Sequence, residues 1–117
     1  MARTPITATA VPDTGLNITD VSFATLGAGA SNGVTFPYDG NNRILLKNDT
    51  GGAATFTVKI PTPTNLAGIG VTVPDMTVSV ANGKVYEFKS ASLQVARQSD
   101  GNIYIDCNVA GKVLVEA

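Results

Sequence analysis

The chain has no histidine and no tryptophan, a single cysteine, and charged side chains at only 15% of its 117 positions. Without histidine there is no Ser-His-Asp or Cys-His nucleophile pair and no imidazole to ligate a metal. One cysteine cannot close an intramolecular disulfide, so stability must come from packing or association. That residue, Cys107, ends the strand-like run Tyr104-Ile105-Asp106-Cys107 and reads as a small buried hydrophobe rather than a reactive thiol. Eight basic and nine acidic residues leave a net charge of -1, which gives no basic face for nucleic acid. No stretch reaches the roughly 18 apolar residues of a membrane span, and Met1–Pro5 opens without the apolar core of a signal peptide. Synthesis in a reducing cytosol is the expectation, with no membrane partner. The sequons at Asn17 and Asn48 then read as incidental in an Asn- and Thr-rich chain.

What remains is strand and turn chemistry. Hydrophobic residues make up 44% of the chain, enough for the core of one domain of ordinary size. No long window places apolar residues at helical spacing behind a cap. Short runs rich in Val, Ile, Thr, Phe and Tyr recur instead between Gly, Asn, Asp and Pro. Leu16–Thr19 alternates, and Val21–Phe23 restarts the alternation out of phase, as at a bulge or bend. Further strands are expected at Val34–Phe36, Arg43–Asn48, Ala53–Ile60, Val71–Val73, Met76–Val80, Val85–Phe88, Leu93–Arg97, Ile103–Asp106 and Lys112–Glu116. Arg43–Asn48 and Ala53–Ile60, joined by Asp49-Thr50-Gly51-Gly52, read as a hairpin. Roughly eight to ten strands at this spacing predict an all-β fold, an antiparallel β-sandwich of jelly-roll-like form. Alternation puts Phe56, Val58 and Ile60 on one face and Thr55, Thr57 and Lys59 on the other. Val78 with Val80, Tyr86 with Phe88, Ile103 with Ile105, and Val113 with Val115 pair in the same way.

Ahead of this domain, expected over 15–117, residues 1–14 read as an extended N-terminal arm. Ala2–Pro12 is small, Thr- and Ala-rich, and carries a proline near each end. Arg3, Thr4, Pro5, Ile6, Thr7, Thr9 and Val11 are the candidate contact residues. They either pair with a neighbouring subunit by strand addition or form the first strand of the same domain.

Sequence motifs for chemistry are weak. Gly27-Ala28-Gly29 lacks the third glycine of a dinucleotide loop, Asn32 standing in its place, and no strand–loop–helix unit surrounds it. It reads as a mobile surface loop. The oxygen-rich turns Asp39-Gly40-Asn41-Asn42 and Asp100-Gly101-Asn102 lack EF-hand spacing, and Asx side chains close such turns by themselves. Glu87 and Asp106 could be posed as a glycosidase pair, but nine acids in a β-protein offer many such pairs. Tyr38, Tyr86 and Tyr104 could form a stacking surface for sugars. No catalytic residue, metal ligand or cofactor site is assigned.

The succession Arg43-Ile44-Leu45-Leu46-Lys47-Asn48, a Thr/Gly turn, and Ala54-Thr55-Phe56-Thr57-Val58-Lys59-Ile60-Pro61 resembles small structural proteins of tailed bacteriophages. So does the continuation Val73-Pro74-Asp75-Met76-Thr77-Val78-Ser79-Val80, Asn82-Gly83-Lys84 and Ser99-Asp100-Gly101-Asn102-Ile103-Tyr104-Ile105-Asp106. The resemblance runs from about Arg43 to Asp106 and is to capsid decoration, or cement, proteins. It implies a non-enzymatic virion protein that binds the outer surface of the head and stabilises it, as a homotrimer contacting the major capsid protein. It also implies assembly in the host bacterial cytoplasm and no cofactor. The competing expectation is a carbohydrate- or receptor-binding β-module of a phage tail or host-facing surface. It rests on the tyrosines and the polar loops at 27–33, 38–42 and 98–102.

Overall fold

Alternation at a period of two drives the strands together. Ala54, Phe56 and Val58 are buried while Thr55 and Thr57 between them stay half-exposed, and Ile44 and Leu46 are buried with Leu45 on the opposite face. Each such strand must lay its apolar side against another, and two sheets stacked face to face do this for all of them at once.

The computed structural model describes residues 3–9, 23–40, 42–62, 64–88 and 94–116. Its strands are β1 (Thr4–Pro5), β2 (Ala24–Thr25), β3 (Gly29–Pro37), β4 (Arg43–Lys47), β5 (Ala54–Val58), β6 (Met76–Val80), β7 (Val85–Phe88), β8 (Asn102–Cys107) and β9 (Lys112–Glu116). Among the described residues, one short helix, α1 (Thr64–Ala67), and a 3-10 turn at Gln94–Ala96 complete the elements. The strands form a five-stranded sheet I, in the order β1-β3-β8-β5-β6, and a four-stranded sheet II, in the order β2-β9-β4-β7. The fold is an all-β sandwich, antiparallel except where β1 runs parallel to β3. β2 pairs with β9, β3 with β8, β4 with β7 and β5 with β6, each pair nested inside the previous one. Leu26, Phe36, Ile44, Leu46, Phe56, Ile103, Ile105, Val113 and Val115 fill the space between the sheets.

Several local expectations are corrected. β4 and β5 are not a hairpin, because they lie in different sheets. Both edges of β4 are taken by β7 and β9, with Leu45 registered between Glu87 and Leu114. The intervening turn instead carries the chain across the sandwich. It is held by buried Asn48, whose Nδ2 donates to the Gly52 and Val80 carbonyls at 2.6 and 2.7 Å. Its Oδ1 accepts from the Thr50 amide and hydroxyl. Val71–Val73 is not a strand but part of the long β5–β6 connection, where the Val73 amide bonds the Thr62 hydroxyl rather than a ladder partner. The expected strand at Leu93–Arg97 is a 3-10 turn over its described part, closed by Arg97 N–H to the Gln94 carbonyl, with Ala96 buried. The glycine-rich stretch is not a separate loop, since β3 begins at Gly29 and runs through it as an irregularity. From Gly29 to Val34 the strand covers the two-residue step from Cys107 to Ile105 on β8. Leu16–Thr19 and the boundary between residues 14 and 15 lie outside the described residues.

Candidate interaction site at the N-terminal clamp

The irregularity in β3 leaves amides without ladder partners, and buried backbone N–H groups must find acceptors. Two of them, from Ser31 and Gly33, donate to the carboxylate of Asp106 at 3.1 and 3.2 Å. Gly33 is required by close approach, because a Cβ there would lie 1.8 Å from the Ile105 carbonyl oxygen and 2.8 Å from Asp106 Oδ1. Ser31 reaches its position with φ at 64°, the left-handed region that L-residues adopt at a cost.

Asp106 stands on the outer face of sheet I, yet its side chain is only 6% exposed. A buried carboxylate needs a cation as well as amides. Arg3 supplies it in a fork, Nε to Oδ1 at 2.8 Å and Nη2 to Oδ2 at 2.6 Å. Each carboxylate oxygen therefore accepts one bond from the arm and one from the β3 irregularity. The guanidinium also lies 4.8 Å from the ring centroid of Tyr104, close enough for cation–π attraction. The Tyr104 hydroxyl donates to Asp100 Oδ2 at 2.6 Å, and Asp100 Oδ1 closes the turn by accepting from the Asn102 amide.

Protonation follows this geometry. Burial pushes the Asp106 carboxyl up, but the Arg3 hydrogen bonds, the two amides and the Arg3 charge together hold it below the usual aspartate value. The hydrogen bond from Arg3 to Asp106 outweighs burial and raises Arg3 in turn. Asp100 is lowered by the Tyr104 hydroxyl and the Asn102 amide, and Tyr104 is raised by the same contact.

From this clamp on sheet I, the described segment 3–9 runs across to sheet II. Thr4 and Pro5 register with Val34 and Thr35, and the Ile6 amide donates to the Thr35 carbonyl at 2.8 Å. Pro5 is tolerated because β1 is an edge strand. The chain then crosses to sheet II, where the Thr9 amide donates to the Val115 carbonyl at 2.7 Å. Ile6 packs on the core, whereas Thr4, Pro5 and Thr7 are exposed. The candidates Arg3, Thr4, Pro5, Ile6, Thr7 and Thr9 are thus gathered on one side of their own sandwich, and Val11 lies outside the described residues. The Arg3–Asp106 pairing escapes sequence reading because 103 positions separate its members. Its only signal is an acid inside the apolar run Ile103–Cys107.

Beside the clamp, Gly29, Thr55, Thr57, Lys59, Asp106, Cys107 and Asn108 line an open groove of about 310 Å³. Lys59 is paired there with Asp75 at 2.6 Å. Burial raises the Asp75 carboxyl, but hydrogen bonds from Lys59 and the Ile60 amide carry it to a net depressed value.

The remaining sequence candidates disperse. Glu87 is exposed on sheet II while Asp106 lies on sheet I, so they do not face one another as a carboxylate pair. Tyr38 is in the core, Tyr86 is exposed on β7, and Tyr104 is covered by Arg3, so the tyrosines form no shared platform. Cys107 is buried and belongs to the hydrophobic cluster. In the 39–42 turn, Asn42 Oδ1 accepts from the Asp39 amide. Among the described residues no group of three or more Cys, Asp or Glu side chains is placed to hold a metal. Comparison with protein families, with curated proteins and with solved structures finds no match for this chain.

Proposed function

We propose that this is a non-enzymatic structural protein that binds the outside of a bacteriophage head and stabilises it as a homotrimer on the major capsid protein. The observation that carries the reading is the use made of Asp106, a residue inside the segment that resembles decoration proteins. Its carboxylate is fully engaged in tying Arg3 to the irregularity of β3 in sheet I, so its chemistry serves rigidity. The nested strand pairs support a jelly-roll reading of the sandwich, an architecture shared by viral capsid and lectin domains. Exposed Thr4, Pro5 and Thr7 on the clamped arm offer a surface for the capsid, where symmetric repetition multiplies modest contacts into avidity. Purified protein mixed with undecorated heads should bind saturably and raise the temperature at which heads rupture. No binding at micromolar protein overturns the reading.

The groove beside the clamp supports a second reading, a carbohydrate-binding module. Its threonine hydroxyls and the Asn108 side chain suit a neutral, hydroxyl-rich ligand better than a charged one. Glycan-array binding that is lost in Thr57→Val would favour it, and a silent array would remove it.

A further inference from the structure

Among the described residues the two sheets end in β1 and β6 on sheet I and in β2 and β7 on sheet II. Edge strands offer unpaired main-chain groups, and proteins guard them by shortness, proline or charge. All of these edges but one are guarded in this way. β1 and β2 span two residues each, β1 with Pro5, and β7 carries Glu87. β6 differs: Met76–Val80 has no charge and no proline, and it pairs with β5 residue by residue without a bulge. The direction of its free groups follows from β5. Lys59 N–H donates to the Tyr104 carbonyl and Asn108 N–H to the Thr55 carbonyl, so residues 55, 57 and 59 turn their main chain toward β8. Ala54, Phe56 and Val58 are left for β6, where they face Val80, Val78 and Met76. Thr77 and Ser79 therefore turn amide and carbonyl away from the sheet, and among the described residues nothing bonds these groups.

We propose that β6 is a docking edge for an extended segment of a partner protein, which adds a further strand to sheet I. Amides and carbonyls alternating along a line are matched by the same groups on another extended main chain. The side chains flanking the edge set what that segment must carry. Met76 and Val78 point to the core side and stay only partly covered, while Thr77 and Ser79 are exposed on the outer face. A strand laid alongside places apolar side chains beside Met76 and Val78 and polar ones beside the hydroxyls, so the partner segment is apolar at every second position. No charged side chain lies between Asp75 and Lys84 to oppose it. A second copy offers only β6 itself among its described edges, since the others are guarded, and that pairing closes a two-fold dimer instead of the proposed homotrimer. The choice of a partner over a second copy rests on that reading; the docking edge does not.

Amide hydrogen exchange read by NMR tests it, with a peptide of alternating threonine and valine, carrying a lysine at each end, as the probe. In the protein alone the Thr77 and Ser79 amides should exchange freely, and saturating peptide should slow both by about tenfold or more. Thr77→Pro removes an outward N–H and no bond of the β5–β6 ladder, so the variant should keep its unfolding temperature and bind the peptide about tenfold more weakly or worse. Should that variant fail to fold, the wild-type protein with a peptide N-methylated at alternate residues carries the same test, and binding should be lost. Absence of peptide binding at about 1 mM overturns the proposal, as does binding that leaves the Thr77 and Ser79 amides fast or that survives N-methylation. Amides already protected in the protein alone would show the edge filled by this chain or its copies and overturn it equally. Heads that bind the protein while these two amides stay fast would keep the head-binding reading and overturn the docking edge.

Discussion

Replacing Asp106 with asparagine keeps the shape of the clamp and removes its charge. In the native chain both carboxylate oxygens accept two bonds each, Oδ1 from Arg3 Nε and Gly33 N–H, Oδ2 from Arg3 Nη2 and Ser31 N–H. An asparagine has one accepting oxygen, so in either orientation its NH₂ group faces two donors. Arg3 is then left without its counter-charge at 16% exposure. Breaking a fully buried pair costs about 3–5 kcal/mol. Because Arg3 can swing toward water, a loss of about 3 kcal/mol is the fair figure here. For a chain of this size that corresponds to a fall in Tm of about 10–15 °C. Urea and thermal unfolding of Asp106→Asn give the number directly. Arg3→Gln should cost less, about 1–2 kcal/mol, since the two amides still hold the carboxylate. In the double variant the losses should fall short of additive, because both changes remove the same contact. An Asp106→Asn protein within about 0.5 kcal/mol of wild type would refute the claim that this clamp holds the arm.

The same carboxylate gives a pH signature. Asp106 is depressed in the folded protein below its ordinary value of 3.8, so its stabilisation is complete above that value and is lost as pH falls through the depressed one. Wild-type Tm should therefore drop more steeply than that of Asp106→Asn between about pH 5 and about pH 2, measured by scanning calorimetry. Asn48→Ala should cost about 2–3 kcal/mol in urea unfolding, because it orphans the Gly52 and Val80 carbonyls where the chain crosses between sheets. Gly33→Ala should cost about 3 kcal/mol or more by the same assay, since its Cβ would overlap the Ile105 carbonyl.

Periodicity carries the architecture well and the connectivity poorly. The alternation in 54–58 and 103–105 marks buried faces that need only local pattern. Whether two successive strands pair depends on what occupies their edges, and β4 is enclosed by partners about 40 and 70 positions away. Asn48 sits in a turn whose Asp-Thr-Gly-Gly composition equally suits a hairpin, but β5 joins the other sheet, and there Asn48 reaches the Val80 carbonyl. The candidate site shows the same limit. Arg3 is legible as part of an arm, and Asp106 as an acid in an apolar strand, but their pairing is a tertiary fact. Gly27–Gly33 looks mobile from composition because glycine marks flexible loops. Here Gly33 is present because backbone passes within a side chain's width of backbone, which composition does not distinguish.

The central claim, a structural component of a phage head, is tested most directly by quantifying the protein in purified virions by mass spectrometry against the major capsid protein. The expected result is a fixed copy number that scales with the capsid lattice and occupancy on the outer surface of the head. Its absence from intact virions, or a trace amount unrelated to capsid copy number, would contradict the account.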